Sequence, residues 1–266
     1  MDLPTILTDK MHRNLLGSMR FSSSSLSALS SSMLPASRRP VFVSGTRIPF
    51  MLSGTAYNDL MAVDLMRLAI KGLLVKTAIK PSLLDYAVLG TVIQESRTSN
   101  IAREAVLSAG LPNTLTAHTV TMACISANAA AATACGAIAS GSASAVLIGG
   151  CETMSDVPIR FSRPLRKRLL KAGKAKGFMG YLSLLSGLKP GDFAPEAPAI
   201  AEFSSGEVMG HSADRLAAAW GVSRADQDAF ALRSHKLAAE AHKTGKLKDE
   251  ITAVDGNTLD NVIKPE

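Results

Sequence analysis

The chain has 266 residues, 47% of them hydrophobic and 19% charged, with a formal net charge of +7. That is enough apolar sequence to build a sizeable core, one large domain or one and a half, and it excludes a disordered chain. No continuous apolar run reaches the roughly 20 residues that span a bilayer. The three cysteines, Cys124, Cys135 and Cys151, form no CxxC pair, which argues against a disulfide framework or a structural zinc and for a reducing compartment.

The first forty residues stand apart. Asp2 and Asp9 are their only acids, Lys10, Arg13, Arg20, Arg38 and Arg39 are basic, and "FSSSSLSALSSS" is serine-rich. A basic, serine-rich, acid-poor segment without a continuous apolar stretch has the composition of an organelle transit peptide rather than a secretory signal. Residues 1–39 are therefore expected to be a transit or disordered segment.

Folded sequence is expected from "PVFVSGTRIPF", where Val41–Ser44 read as a short strand. "NDLMAVDLMRLAIKGLLVKT" then has a helical period through Leu60, Val63, Leu65, Leu68 and Leu73, with Asn58 or Asp59 as the expected cap. "DYAVLGTVIQ" reads as a buried strand. "SNIAREAVLSAG" reads as a helix capped by Ser99 or Asn100 and stopped at Gly110. "AHTVTMA" is a third strand, residues 124–141 a helix of small residues, and "SAVLIGG" a fourth strand. Strands alternating with helices predict a mostly parallel sheet covered on both faces. The helix over 124–141 carries almost no charge on any side, which predicts burial all round.

After Gly150 the periodicity weakens. Residues 151–205 are rich in Arg, Lys, Gly and Pro. Two better helices follow, one ending at Gly221 and one opening at Ser223 and Asp226 as a capping-box variant and stopping at Gly245. "EITAV" near the end is strand-like. The expected organisation is an α/β core over 40–150, a mostly helical loop domain over 151–250, and a return toward the core from 251.

Cys124 stands between a strand and a helix of small residues. A thiol there is either core filling or a nucleophile. A thiolate is the reactive form, and the N–H groups and dipole at a helix N-terminus favour negative charge. The same N–H groups can stabilise the oxyanion of an acyl-transfer intermediate. No G-x-S-x-G elbow, dinucleotide fingerprint or phosphate loop offers a competing chemistry.

"GTVIQESRTSNIAREAVLSAGLP", "AHTVTMACISAN" and "GGCETMSDVPI" resemble the N-terminal part of a thiolase, and "MGHSADRLAAAWGVSRADQDAFALRSHKLAAEA" is similar to the loop-domain helices of that family. The likeness runs over about residues 40–264. "ACISAN" is similar to the branch of the family that works inside trifunctional fatty-acid oxidation complexes, whereas many thiolases read Cys-x-Ser-Gly there. The resemblance implies a layered thiolase-like α/β fold, a parallel-rich mixed sheet with a buried central helix. It implies an acetyl-CoA C-acyltransferase of mitochondrial β-oxidation, with Cys124 as the acyl-accepting nucleophile and coenzyme A as co-substrate, no cofactor being bound. A homodimer, an α-subunit partner and a matrix location beside the inner membrane are implied with it.

The family also uses a Gly-His-Pro histidine, a Cys-x-Gly cysteine and a Glu-Ala-Phe motif, all in its C-terminal half. None occurs in these residues, so the chain is expected to be the N-terminal portion only and inactive by itself. Cys151 and Cys135 read as core packing, His118 as a satisfied core residue, and His235 and His242 as solvated. Met209 is carried over by resemblance as a pocket residue, with His211 as a second candidate.

From Arg160 to Lys176 there are eight cations and no acid. Arg160, Arg163, Arg166, Lys167, Arg168 and Lys171 are read as a surface for anionic lipid or a partner, against a plain solvated face or attraction of coenzyme A phosphates. The alternative to an enzyme is a non-catalytic, membrane-binding or interaction homologue.

Overall fold

The computed structural model describes residues 38–180 and 187–265. The transit segment expected over 1–39 lies outside them except for Arg38 and Arg39, and so does the middle of "FMGYLSLLSGL".

Helix α1 spans Ala62–Thr77, strand β1 Tyr86–Gly90, α2 Ile101–Ser108, β2 Thr116–Val120, α3 Ser126–Ser140 and β3 Val146–Gly150. A two-residue strand β4, Arg160–Phe161, precedes α4, Arg163–Ala172. Strand β5, Pro195–Glu196, and helices α5, Met209–Ala219, and α6, Arg224–Lys243, follow, and short 3-10 turns lie at Pro81–Leu83 and Pro190–Phe193.

The central strand is β1. It pairs in parallel with β2 on one side, Gly90 opposite Val120, and with β3 on the other, Gly90 opposite Gly150. Alternation along β1 sorts its side chains between two layers. Ala87 and Leu89 join Met66 and Ile70 of α1 and Ala102, Ala105 and Val106 of α2 in the main core. Val88 is fully buried on the opposite face, where α3 packs. The expected parallel sheet with helices on both faces is therefore present, with three strands instead of four.

Helix ends follow their local chemistry. The side chain of Asn100 caps α2 by accepting from the Arg103 N–H, and it donates to the Ala117 carbonyl at 3.0 Å. Ser223 caps α6 by accepting from the Asp226 N–H. Helix α1 is capped at Met61 and not at Asn58 or Asp59, because Asp64 accepts the Met61 N–H from within the first turn.

Several expectations are corrected. Val41–Ser44 form no strand. Val41, Phe42 and Val43 are exposed, and the first pairing is a single parallel bridge between Arg47 and Ile251. A strand exists only where a neighbour takes its backbone groups, and among the described residues none does. "EITAV" is reduced to that bridge and a second, antiparallel one between Val254 and Asn257. Helix α3 is not buried all round. Ser126, Ala130 and Ala134 face the sheet, while its other sides stay open. Residues 123–140 are also apolar enough on average to pass for a membrane span by length and composition, contrary to the reading from unbroken runs. With 15 residues, however, α3 is about 22 Å long, short of the roughly 30 Å of a bilayer core.

His242 is not solvated. Its Nε2 lies 2.8 Å from Asp260 Oδ2, and both side chains are almost wholly buried. Asp260 also takes both terminal nitrogens of Arg47, at 2.7 and 2.9 Å, and the Phe50 N–H. Arg47 Nε reaches Glu250 at 2.8 Å and its guanidinium lies over the Phe50 ring. Burial alone would raise the Asp260 pKa; the Arg47, Phe50 and His242 contacts outweigh it and hold it at about 2. This cluster staples the segment after residue 250 to residues 47–50. Beside it, burial pushes the Tyr57 phenol up to about 12, with its hydroxyl donating to the Pro49 carbonyl.

Candidate active site

Strands β1, β2 and β3 run in parallel and end on one side, at Gly90, Val120 and Gly150. The connection from β1 to β2 passes through α2 on one face, and that from β2 to β3 through α3 on the other, stepping over β1. Open parallel sheets hold ligands outside the carboxyl ends of their strands, where such connections part. Cys124 lies there, exposed, between the end of β2 and the start of α3.

Its loop is tightly wound. The Ile125 N–H donates to the Met122 carbonyl and the Ser126 N–H to the Ala123 carbonyl, both at 3.2 Å. Buried Ser126 closes the turn, its Oγ accepting from the Met122 N–H at 2.9 Å and donating to the Ala123 carbonyl at 2.6 Å. Ala123, next to the cysteine, has φ +44°. A side-chain-bearing residue in the left-handed region costs about 1–2 kcal/mol, and the Ser126 bonds hold it there. The N–H groups of Ile125 and Ser126 are therefore engaged. Because Ala129 makes its bond to the Ile125 carbonyl, the N–H groups of Ala127 and Asn128 are the ones a helix start leaves without intrahelical partners. The anion cradle is narrower than the sequence alone suggests.

Two strand-end glycines seat this helix start. A Cβ on Gly90 would lie 2.7 Å from the Ser126 carbonyl carbon and 2.9 Å from the Ala127 nitrogen. A Cβ on Gly150 would lie 2.9 Å from the Gly90 oxygen. The sheet approaches the first turn of α3 this closely because neither position has a side chain.

The other candidate residues separate. Cys151 donates its S–H to the Ala62 carbonyl, and burial, followed by the Glu152 charge, pushes its thiol up to about 12. It is a packing residue, as its sequence context suggests. Cys135 is half-buried on α3. His118 Nδ1 is 2.7 Å from the Tyr86 hydroxyl, so it is a satisfied histidine of the sheet. His235 Nδ1 accepts from the Lys264 N–H. Met209 and His211, in the first turn of α5, are exposed, and α5 buries no residue. The structure gives neither a hydrogen bond to residues 122–126.

In the basic segment, Arg160 belongs to β4, paired with β5. Ser162 caps α4, accepting from the Leu165 N–H and donating to the Asp192 carbonyl. Arg166 is not a free cation: Glu196 of β5 binds it at 2.7 Å and also takes the Arg163 N–H. Lys167 and Lys171 remain exposed beside exposed Leu169 and Leu170.

Residues 40–265 match the family model described as thiolase, N-terminal domain. The chain is 54% identical over 235 residues to the mitochondrial trifunctional enzyme subunit beta of Mus musculus, which covers 87% of this chain and 50% of that protein. It is 41% identical over 213 residues to a 3-ketoacyl-CoA thiolase of Pectobacterium atrosepticum, covering 80% of this chain and 49% of that protein. The crystal structure of the Bacillus anthracis acetyl-CoA acetyltransferase superposes with a TM-score of 0.66 at 27% identity, over 80% of this chain and 50% of that one. The chain thus spans about half the length of the relatives it matches.

Proposed function

Since the chain belongs to the thiolase family, we propose that it carries the acyl-accepting portion of a 3-ketoacyl-CoA thiolase site, with Cys124 as the nucleophile. The observation that carries this reading is the place of Cys124: exposed, at the carboxyl end of a parallel sheet, on a wound loop that leads into the open first turn of α3.

The Cys124 sulfur attacks the keto carbonyl of a 3-ketoacyl-CoA. The bond between the substrate's second and third carbons breaks, and its electron pair leaves with acetyl-CoA, which takes up a proton. The shortened acyl group stays on Sγ as a thioester. The thiol of a second coenzyme A attacks that thioester, releases a shortened acyl-CoA and returns the cysteine. This divides one difficult step into two easier ones. The N–H groups of Ala127 and Asn128 face negative charge that develops at the carbonyl oxygen.

Two proton transfers remain. His118 is committed to Tyr86 and Cys151 to a backbone carbonyl. The residues of this chain therefore support acylation better than full turnover, and the 266-residue chain alone is expected to show no thiolysis. Met209 and His211 would serve as substrate contacts only once α5 is brought to the cysteine.

The relatives' names support a mitochondrial location and assembly with an α-subunit; a homodimer is part of the same proposal. Exposed Lys167 and Lys171 beside Leu169 and Leu170 support contact with an anionic inner-membrane lipid surface. Arg160, Arg163 and Arg168 add charge to this region, and Arg166 adds less because Glu196 neutralises it. Equal co-sedimentation of the native and a charge-reversed segment with cardiolipin vesicles would remove the lipid role.

The catalytic reading is tested by thiol labelling. Stoichiometric labelling of Cys124 that acyl-CoA blocks supports it. An unreactive Cys124 in a chain that still binds partner subunits would favour a non-catalytic interaction protein.

A further inference from the structure

We propose that Glu152 is a positioning residue for the Cys124 loop, acting through the turn after β1; the proposal rests on Cys124 being the nucleophile. Glu152 stands just past the end of β3. Its Oε2 accepts from the Val92 N–H at 2.8 Å and the Ile93 N–H at 3.1 Å. Those residues follow the end of β1, and their turn is tied in its own right to the end of β2. The Thr91 N–H donates to the Val120 carbonyl at 3.2 Å. Thr121 Oγ1 donates to the Thr91 carbonyl at 2.7 Å and accepts from Gln94 Nε2 at 3.0 Å. Thr121 is joined directly to Met122, the residue whose N–H is held by Ser126 Oγ. One carboxylate at the end of β3 therefore fixes the turn after β1, and that turn fixes the strand end from which the cysteine loop departs.

The electrostatics favour this role over plain packing. Glu152 Oε1 is buried without a hydrogen-bond partner. A half-satisfied carboxylate is costly to keep out of water, so an apolar residue would fill this place at less cost. What a carboxylate adds is one strong acceptor for two neighbouring N–H groups. Neighbouring links converge on the same segment. The Cys151 N–H donates to the Gly90 carbonyl, Ser53 Oγ donates to the Met154 carbonyl, and the Gly54 N–H donates to Ser155 Oγ. The segment holding Glu152 is thus fixed from several sides and gives the turn a rigid anchor.

The test compares two reagents on Cys124 of the whole chain, each read by mass spectrometry of the Cys124 peptide. With p-nitrophenyl acetate the sulfur attacks the ester carbonyl, the carbon–oxygen bond breaks, p-nitrophenolate leaves with the electron pair, and the acetyl group remains as a thioester. This reaction depends on how the thiolate and the N–H donors are aligned. With iodoacetamide the sulfur displaces iodide and no oxyanion forms, so the rate reports access and thiolate content but not the alignment of oxyanion donors. Glu152→Ala is expected to slow acetylation roughly tenfold, below the hundredfold of a full 1 Å misplacement, and to leave alkylation within about twofold. Glu152→Gln, which keeps one oxygen for both N–H groups, is expected to restore most of the acetylation rate. Thr121→Val breaks the relay at an exposed position and is expected to shift the ratio in the same direction, which decides the matter if Glu152→Ala does not fold.

An unchanged ratio of the two rates in the folded Glu152→Ala and Thr121→Val chains would overturn the proposal. So would a parallel fall of both rates, which marks a loosened structure. If Cys124 of the native chain is acetylated no faster than Cys135, the nucleophile reading itself fails and the positioning role goes with it. That result is distinct from a fast native Cys124 that is indifferent to Glu152.

Discussion

The contact between Gly90 and the start of α3 makes the sharpest stability prediction. A Cβ at Gly90 would sit 2.7 Å from the Ser126 carbonyl carbon, 2.8 Å from Ser126 Cβ and 2.9 Å from the Ala127 nitrogen. Two of these three neighbours are backbone atoms, which no change of rotamer moves. Overpacking of this kind costs about 1–3 kcal/mol, and the rigid neighbours place Gly90→Ala at the upper end, about 2–3 kcal/mol. For a chain of this size that corresponds to a loss of roughly 4–12 °C in Tm. Gly136 of α3 is the internal control, because a Cβ there meets nothing within 4 Å. Gly136→Ala should therefore stabilise by about 0.5–1 kcal/mol through helix propensity. Thermal and urea melts followed by circular dichroism measure both variants, and Cys124 alkylation reports the loop. If Gly90→Ala melts at or above the native temperature with unchanged Cys124 reactivity, the close seating of α3 on β1 is wrong.

Three further outcomes follow from the same geometry. Asp260 is held at about 2, below its ordinary 3.8, so its contribution is complete above the ordinary value and is lost as pH falls through about 2. Asp260→Asn should cost on the order of 2 kcal/mol near neutrality, and the gap in urea melts should close between about pH 4 and pH 2; a gap independent of pH would contradict the Arg47 pairing. Cys151, pushed up to about 12, should stay unmodified by iodoacetamide at about pH 8 while Cys124 reacts, the thiolate being the reactive form; equal labelling of the two in the folded chain would be inconsistent with its burial. Asn100 caps α2, donates to Ala117 and accepts from Thr119 Oγ1. Asn100→Ala should therefore cost about 2 kcal/mol, more than a simple cap, and a urea-melt loss under about 0.5 kcal/mol would refute the link to β2.

Where a local signal existed, the sequence was readable. Asn100 before an amphipathic run, Ser223 three residues before Asp226, and apolar runs over 86–90 and 146–150 became the helices and strands they suggest. Cys124 was legible as a junction residue because the change of period falls beside it. What was hidden depends on distant residues. The staple of Arg47, His242, Glu250 and Asp260 joins positions more than 200 apart, and no pattern around His242 marks it as buried. Val41–Ser44 carries a strand-like pattern, but pairing is decided by a neighbour and not by the segment. Small, uncharged α3 carries the composition of a helix buried on every side, since composition cannot tell a face that packs from one left open. The link from Glu152 to Thr121 has no sequence periodicity, for it crosses three strand ends.

Under the proposed function, Cys124 accepts an acyl group. The most direct measurement exposes the whole chain to an acyl-CoA, digests it, and locates the added acyl mass by peptide mapping, with release by hydroxylamine to identify a thioester. One acyl group on Cys124 is expected, removed by hydroxylamine and absent from Cys124→Ala. Acyl groups spread over lysines, or placed equally on Cys124 and Cys135, would contradict it.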